Sequence, residues 1–128
     1  MTDTTTIPEA TIHQMVARYL DTWNATEAVA RAELLERHWA PDCVYVDPLA
    51  VARGRDAMHA AIGAVHGQSP GFVFTQVGDV DAHHAQCRFR WGLGPAGGEP
   101  LVIGFDVLVL DHEHRIRDVR GFLDQVPA

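Results

Sequence analysis

Leu101-Val102-Ile103-Gly104-Phe105-Asp106-Val107-Leu108-Val109-Leu110 is the stretch from which the fold is read. It holds a single charged side chain, Asp106, and at a strand's period of two its apolar residues fall on both faces. A strand of this kind is covered on both sides, by helices or a pocket on one and by a partner subunit or further packing on the other. Three more β-rich stretches flank it, at Phe72–Ala82, Gln86–Leu93 and Ile116–Phe122. The connectors Asp81–Ala85, Gly94–Pro100 and Asp111–Arg115 are short enough for hairpins, so the four stretches read as an antiparallel meander.

Upstream the period changes. Ile12, Met15, Val16, Tyr19, Leu20 and Trp23 share one face of an amphipathic helix. Asn24 and Thr26 offer caps for a second helix, on which Ala28, Ala32, Leu35 and Trp39 share a face until Pro41-Asp42 ends it. A short strand at Cys43–Asp47 sets Tyr45 and Asp47 opposite Val44 and Val46, and Pro48 terminates it. A third helix follows Gly54, with Met58, Ala61, Ile62 and Val65 on one side and Gly67 as its stop. Helices first and strands afterwards predict an α+β fold: a cone-shaped, curved antiparallel sheet with three helices from the N-terminal half, enclosing one apolar pocket. Residues 1–8 are expected to be a flexible start, and 9–126 a single domain, because 128 residues leave no room for a second core.

Composition narrows the function. All ten basic residues are dispersed arginines and the net charge is −7, which speaks against nucleic acid or an anionic membrane as partner. No apolar run is long enough to cross a bilayer, and the first eight residues do not form a signal peptide, so the cytoplasm is the expected compartment. Cys43 and Cys87 have no metal-ligand spacing and read as buried thiols. The clusters His83-His84 and His112/His114 fall in hairpin turns, where solvated polar residues are ordinary, and no metal site is expected there. His66 reads as a dipole partner at the end of the third helix.

Asp106 carries the chemistry. A carboxylate in an apolar strand loses hydration, which favours its neutral, hydrogen-bond-donating form; the competing reading pairs it with an arginine or a bulge at Gly104. Asp47 is a candidate base, or else a plain turn aspartate ahead of proline. Tyr19, on the buried helix face, either reaches the pocket or finds a core partner. Trp39, Tyr45, Phe89, Trp91 and Phe122 are the candidate substrate-binding wall, and each fits a core role equally.

The order Arg18-Tyr19, Trp23-Asn24, Val46-Asp47-Pro48, Gly54 opening a helix, and Gly104-Phe105-Asp106 in a late strand resembles the ketosteroid isomerases. These belong to the nuclear transport factor 2-like superfamily, with its cystatin-like roll, which also holds the SnoaL-type polyketide cyclases. The segments Tyr45–Leu49, Arg88–Trp91 and Gly121–Asp124 resemble SnoaL-like proteins more broadly. The resemblance implies that Tyr19 and Asp106 hold a developing enolate oxygen while Asp47 moves the proton, as the matching residues do in those isomerases. In the cyclases the matching acid/base is Asp106. Epoxide hydrolases of the superfamily carry an arginine two residues before the strand aspartate; Gly104 stands there in this chain, against their mechanism.

The expected function is therefore cofactor-free proton transfer, of isomerase or cyclase type, on an apolar or polycyclic carbonyl compound. The alternatives are a non-catalytic ligand-binding or dimerisation module of the same fold, or a hydrolase or dehydratase of the superfamily. A homodimer through the open sheet face is expected from the apolar outward residues of 101–110.

Overall fold

The computed structural model describes residues 6–127. Three helices, α1 (Glu9–Asn24), α2 (Ala28–His38) and α3 (Arg55–Gln68), accompany six strands: β1 (Trp39–Val46), β2 (Val51–Arg53), β3 (Phe72–His83), β4 (Gln86–Pro95), β5 (Val102–Leu110) and β6 (Ile116–Gln125). The strands form one curled, unclosed sheet in the order β2-β1-β6-β5-β4-β3. The meander from β3 to β6 is antiparallel as expected, but β6 continues into a parallel pairing with β1 that local periodicity does not encode. The sheet is therefore mixed, and its concave face holds the core together with α1.

Side chains at even positions of β5 and odd positions of β4 point inward. Leu108, Asp106 and Gly104 face the core beside Cys87, Phe89, Trp91 and Leu93, while Arg88 and Arg90 face out and pair with Asp81 and Asp124. That settles which face of the Arg88–Trp91 strand looks inward. The expected buried face of α1 is also found, from Ile12 to Trp23.

The second helix ends earlier than its periodicity predicts. Trp39 opens β1 instead of closing α2, because the Arg55 guanidinium takes the carbonyls of Glu36 (3.0 Å) and Trp39 (2.6 and 3.0 Å) and so satisfies the helix end there. Pro41 and Asp42 lie within β1, at the register shift between Trp39 and Val44, where a missing N–H costs no ladder bond. Neither Asn24 nor Thr26 caps α2, whose N-cap is Glu27. Asn24 instead exchanges two hydrogen bonds with the Phe74 backbone (2.7 and 2.9 Å), tying the end of α1 to β3. Helix α3 runs through Gly67 to Gln68, and the His66 ring binds the Trp23 carbonyl at 2.6 Å rather than its own helix end. Of the expected flexible start, residues 1–5 lie outside the described residues; Ile7 is buried and donates its N–H to the His84 carbonyl at 3.0 Å, so packing begins before residue 9.

Candidate active site

Helix α1 and strand β5 bring Tyr19 and Asp106 together across the core. The Tyr19 hydroxyl donates to Asp106 Oδ2 at 2.6 Å, and each residue is only 1% exposed. None of the ion pairs among the described residues includes Asp106, so no arginine neutralises it. Burial pushes its carboxyl up to about 6, while the hydrogen bond from Tyr19 pulls the other way. The Trp91 indole N–H lies near enough to favour the charged form, though it completes no hydrogen bond, and the charge of Asp47 raises the value a little further. Burial, then the adjacent carboxylate, holds the Tyr19 phenol well above its ordinary range, so it acts as a donor.

Two glycines make room for this acid. Opposite Asp106 on β6 stands Gly121, where a Cβ would meet Asp106 Oδ1 at 2.6 Å and the Asp47 Cβ at 3.3 Å. Opposite Trp91 on β5 stands Gly104, whose bare Cα lets the indole lie against the strand; any side chain there would collide with the ring.

A second phenol–carboxylate pair sits across Gly121. The Tyr45 hydroxyl donates to Asp47 Oδ2 at 2.6 Å, and the Leu49 and Ala50 N–H groups both donate to Asp47 Oδ1 at 2.8 Å. With the Asp47 N–H bonded to the Ala50 carbonyl, the link from β1 to β2 is a tight turn closed by its own aspartate. Burial raises the Tyr45 phenol, and the charges of Asp106 and Asp47 add to the effect.

Both pairs adjoin a cavity of about 290 Å³. Its inner wall is aromatic: Tyr19, Trp23, Tyr45, Phe74 and Trp91 are all buried, and Asp47 lies at the edge of this group. Asp106 stands behind the wall, reached through Tyr19. Trp23 and Trp91 also carry indole N–H groups that are buried without a protein acceptor, an unusual reserve of donors beside a carboxyl group.

Of the expected wall, Tyr45 and Trp91 line the cavity. Trp39 and Phe89 do not; they buttress Tyr19 from behind, Trp39 stacked on it at 5.6 Å with its indole N–H on Thr22, and Phe89 edge-on at 5.7 Å. Phe122 is a correction. With Gly121 turned inward, strand alternation turns Phe122 outward, where it is 60% exposed and packs near Phe105. Trp23 and Phe74 were missed, although Trp23 lay on the recognised buried face of α1. The hairpin histidines stay apart from this site: His84 and His114 occupy positive-φ turn positions, and Asp111 is engaged by the N–H groups of Glu113 and Arg115. Both cysteines are free and buried, and burial pushes the Cys87 thiol up to about 12, so neither is a ready nucleophile.

The sequence matches the model of the SnoaL-like domain over residues 16–119. Among solved structures, a candidate isomerase of the SnoaL-like family from Agrobacterium tumefaciens is 35% identical, covering 90% of this chain and 98% of its own, with a TM-score of 0.85. A candidate polyketide cyclase from Sinorhizobium meliloti (19% identity, 90% and 94% coverage, TM-score 0.67) and an LEH-like epoxide hydrolase from M. tuberculosis (18%, 91% and 86%, 0.66) share the fold. No curated protein matches the chain.

Proposed function

The chain belongs to the SnoaL-like family, and on that premise we propose that it is a proton-transfer enzyme of isomerase or cyclase type, acting on an apolar or polycyclic carbonyl compound. The observation that carries this reading is the 2.6 Å hydrogen bond between Tyr19 and an unpaired, buried Asp106 directly behind an apolar cavity. Asp47 takes a proton from the carbon beside the substrate carbonyl, the C–H electrons pass into the enolate, and the oxygen gains charge. Tyr19 donates to that oxygen. When Asp106 is neutral it donates in turn to the Tyr19 oxygen, which frees the phenolic proton to face the substrate. The proton on Asp47 then returns to a different carbon, or the enolate carbon bonds to a second carbonyl whose oxygen takes it. The scheme uses only side chains of this chain.

Magnitudes fit the arrangement. A positioned base contributes about 10²–10⁴-fold, and an oxyanion donor about 3–4 kcal/mol in a site that excludes water. The hydrolase reading is disfavoured by Gly104, since no arginine fits there while Trp91 covers the strand.

The test is solvent-deuterium exchange and double-bond migration in a panel of mono- and polycyclic β,γ-enones. Turnover should fall at least about a hundredfold in both Asp47→Asn and Asp106→Ala, and should decline as pH rises through about 6, where Asp106 loses its proton. Thermal stabilisation by the same ketones with no exchange in the native chain would instead establish a ligand-binding module.

We also propose that two copies pair through the outer sheet face. Ile103, Phe105, Val107 and Val109 form an apolar strip there, extended by exposed Phe122 and bordered by the Arg88–Asp81, Arg90–Asp124 and Arg120–Asp118 pairs. Sedimentation at micromolar concentration should give a dimer that Phe122→Asp dissociates; a monomer in the native chain overturns it.

A further inference from the structure

Exposure grades sharply along the cavity. Its aromatic inner wall is buried, whereas Leu49, Val126 and Pro127, which also line it, are exposed, Leu49 at 83%. With exposed Gln68 they form the rim, three of whose four residues are apolar. A leucine left in water at an entrance is costly unless something covers it, and this one is held rigidly: the Leu49 N–H, the Ala50 N–H and the Asp47 N–H are all hydrogen-bonded within the turn. Asp47 is the bracket. One carboxylate oxygen holds the rim turn and the other holds Tyr45 on the inner wall, so the position of Leu49 is fixed relative to the chemistry.

We propose that the ligand outgrows the cavity, its carbonyl end at Tyr19 and an apolar tail leaving over the rim, with Leu49 as the residue that selects for that tail. The occupant is continuous with the cavity: the same apolar molecule covers the inner wall and the rim. The inference rests on the reading of this cavity as a ligand site, but not on any reaction occurring there. It assigns the substrate class as carbonyl compounds with a linear or fused apolar extension, rather than small compact ketones.

The experiment uses the full chain and the n-alkyl phenyl ketones from acetophenone to decanophenone, followed by quenching of tryptophan fluorescence, since Trp23 and Trp91 line the cavity. Affinity should climb by up to about fourfold for each added methylene, through the longest members. Leu49→Ser should weaken the long ketones by about tenfold and leave acetophenone within about twofold. Val51→Ser, at a position that is also exposed (63%) but outside the cavity wall, should change neither. An affinity that levels off once the cavity is filled, or an equal loss for short and long ketones in Leu49→Ser, overturns the inference while leaving the ligand site standing. If no ketone binds, both fall together.

Discussion

Tyr19–Asp106 and Tyr45–Asp47 are one chemical unit built twice, a phenol donating to a carboxyl at 2.6 Å, and the two copies stand on either side of Gly121. They differ in what surrounds the acid. Asp47, half-buried at a turn, collects two backbone N–H groups besides its tyrosine and is satisfied as an acceptor. Asp106 has its tyrosine alone, an Oδ1 without a donor, and no water-facing surface. The same pair thus serves twice, at the rim as a carboxylate that braces the turn and faces the substrate, and in the core as a buried acid behind the phenol, because surroundings and donor count, not residue identity, set what each acid does.

The sharpest way to break that comparison is through stability against pH. The Asp106 carboxyl rests at about 6 in the fold, against about 3.9 in the unfolded chain. The folded state therefore binds the extra proton, and the stability linked to it is complete below about pH 4 and lost as pH rises through about 6. Two units correspond to about 3 kcal/mol. Urea unfolding of the native chain and of Asp106→Asn, compared across that window, should reveal a pH-dependent difference of this order. Parallel curves for the native chain and Asp106→Asn would mean that the deep acid is solvated after all.

A smaller effect tests the partition between the pairs. Gly121→Ala forces a methyl against Asp106 Oδ1 and the Asp47 Cβ, and such overpacking costs about 1–3 kcal/mol. In an Asp106→Ala background the principal clash disappears, so a double-mutant cycle should return a coupling of about 1–2 kcal/mol. Additive losses would show that the glycine serves the backbone alone.

The sequence makes the deep pair legible and the rim pair less so. Asp106 is conspicuous as the one charge in an apolar decapeptide, and Tyr19 follows from the helical spacing of α1; both are local patterns. Whether Asp47 is a solvated turn residue or a wall residue depends on the parallel pairing of β1 with β6, which joins segments more than seventy residues apart and leaves no local mark. The aromatic wall divided for the same reason. Trp39 was read on a helix that Arg55 ends one residue sooner, and the outward turn of Phe122 follows from a strand phase set by the closeness of Gly121 to Asp106. Trp23 and Phe74 meet at 5.0 Å where Asn24 clamps α1 to β3, a long-range contact that local periodicity does not mark.

The subtlest distinction is the coupling of the two acids. Among the influences on Asp106, the charge of Asp47 is the smallest and raises its pKa, whereas the hydrogen bond from Tyr19 is the largest opposing one and lowers it. The two substitutions must then act in opposite senses. Asp47→Asn should move the titration of Asp106 down by a fraction of a unit, and Tyr19→Phe should move it up, as followed by the carboxyl carbon resonance of Asp106 in labelled protein. If the bracket and the core acid were independent, Asp47→Asn would leave that resonance unmoved while Tyr19→Phe still shifted it. A downward shift with Tyr19→Phe would mean that the phenol stabilises the neutral acid, so that Asp106 donates to the phenol oxygen in the resting fold as well as in the proposed reaction, and would overturn the reading of Asp106 Oδ2 as the resting acceptor.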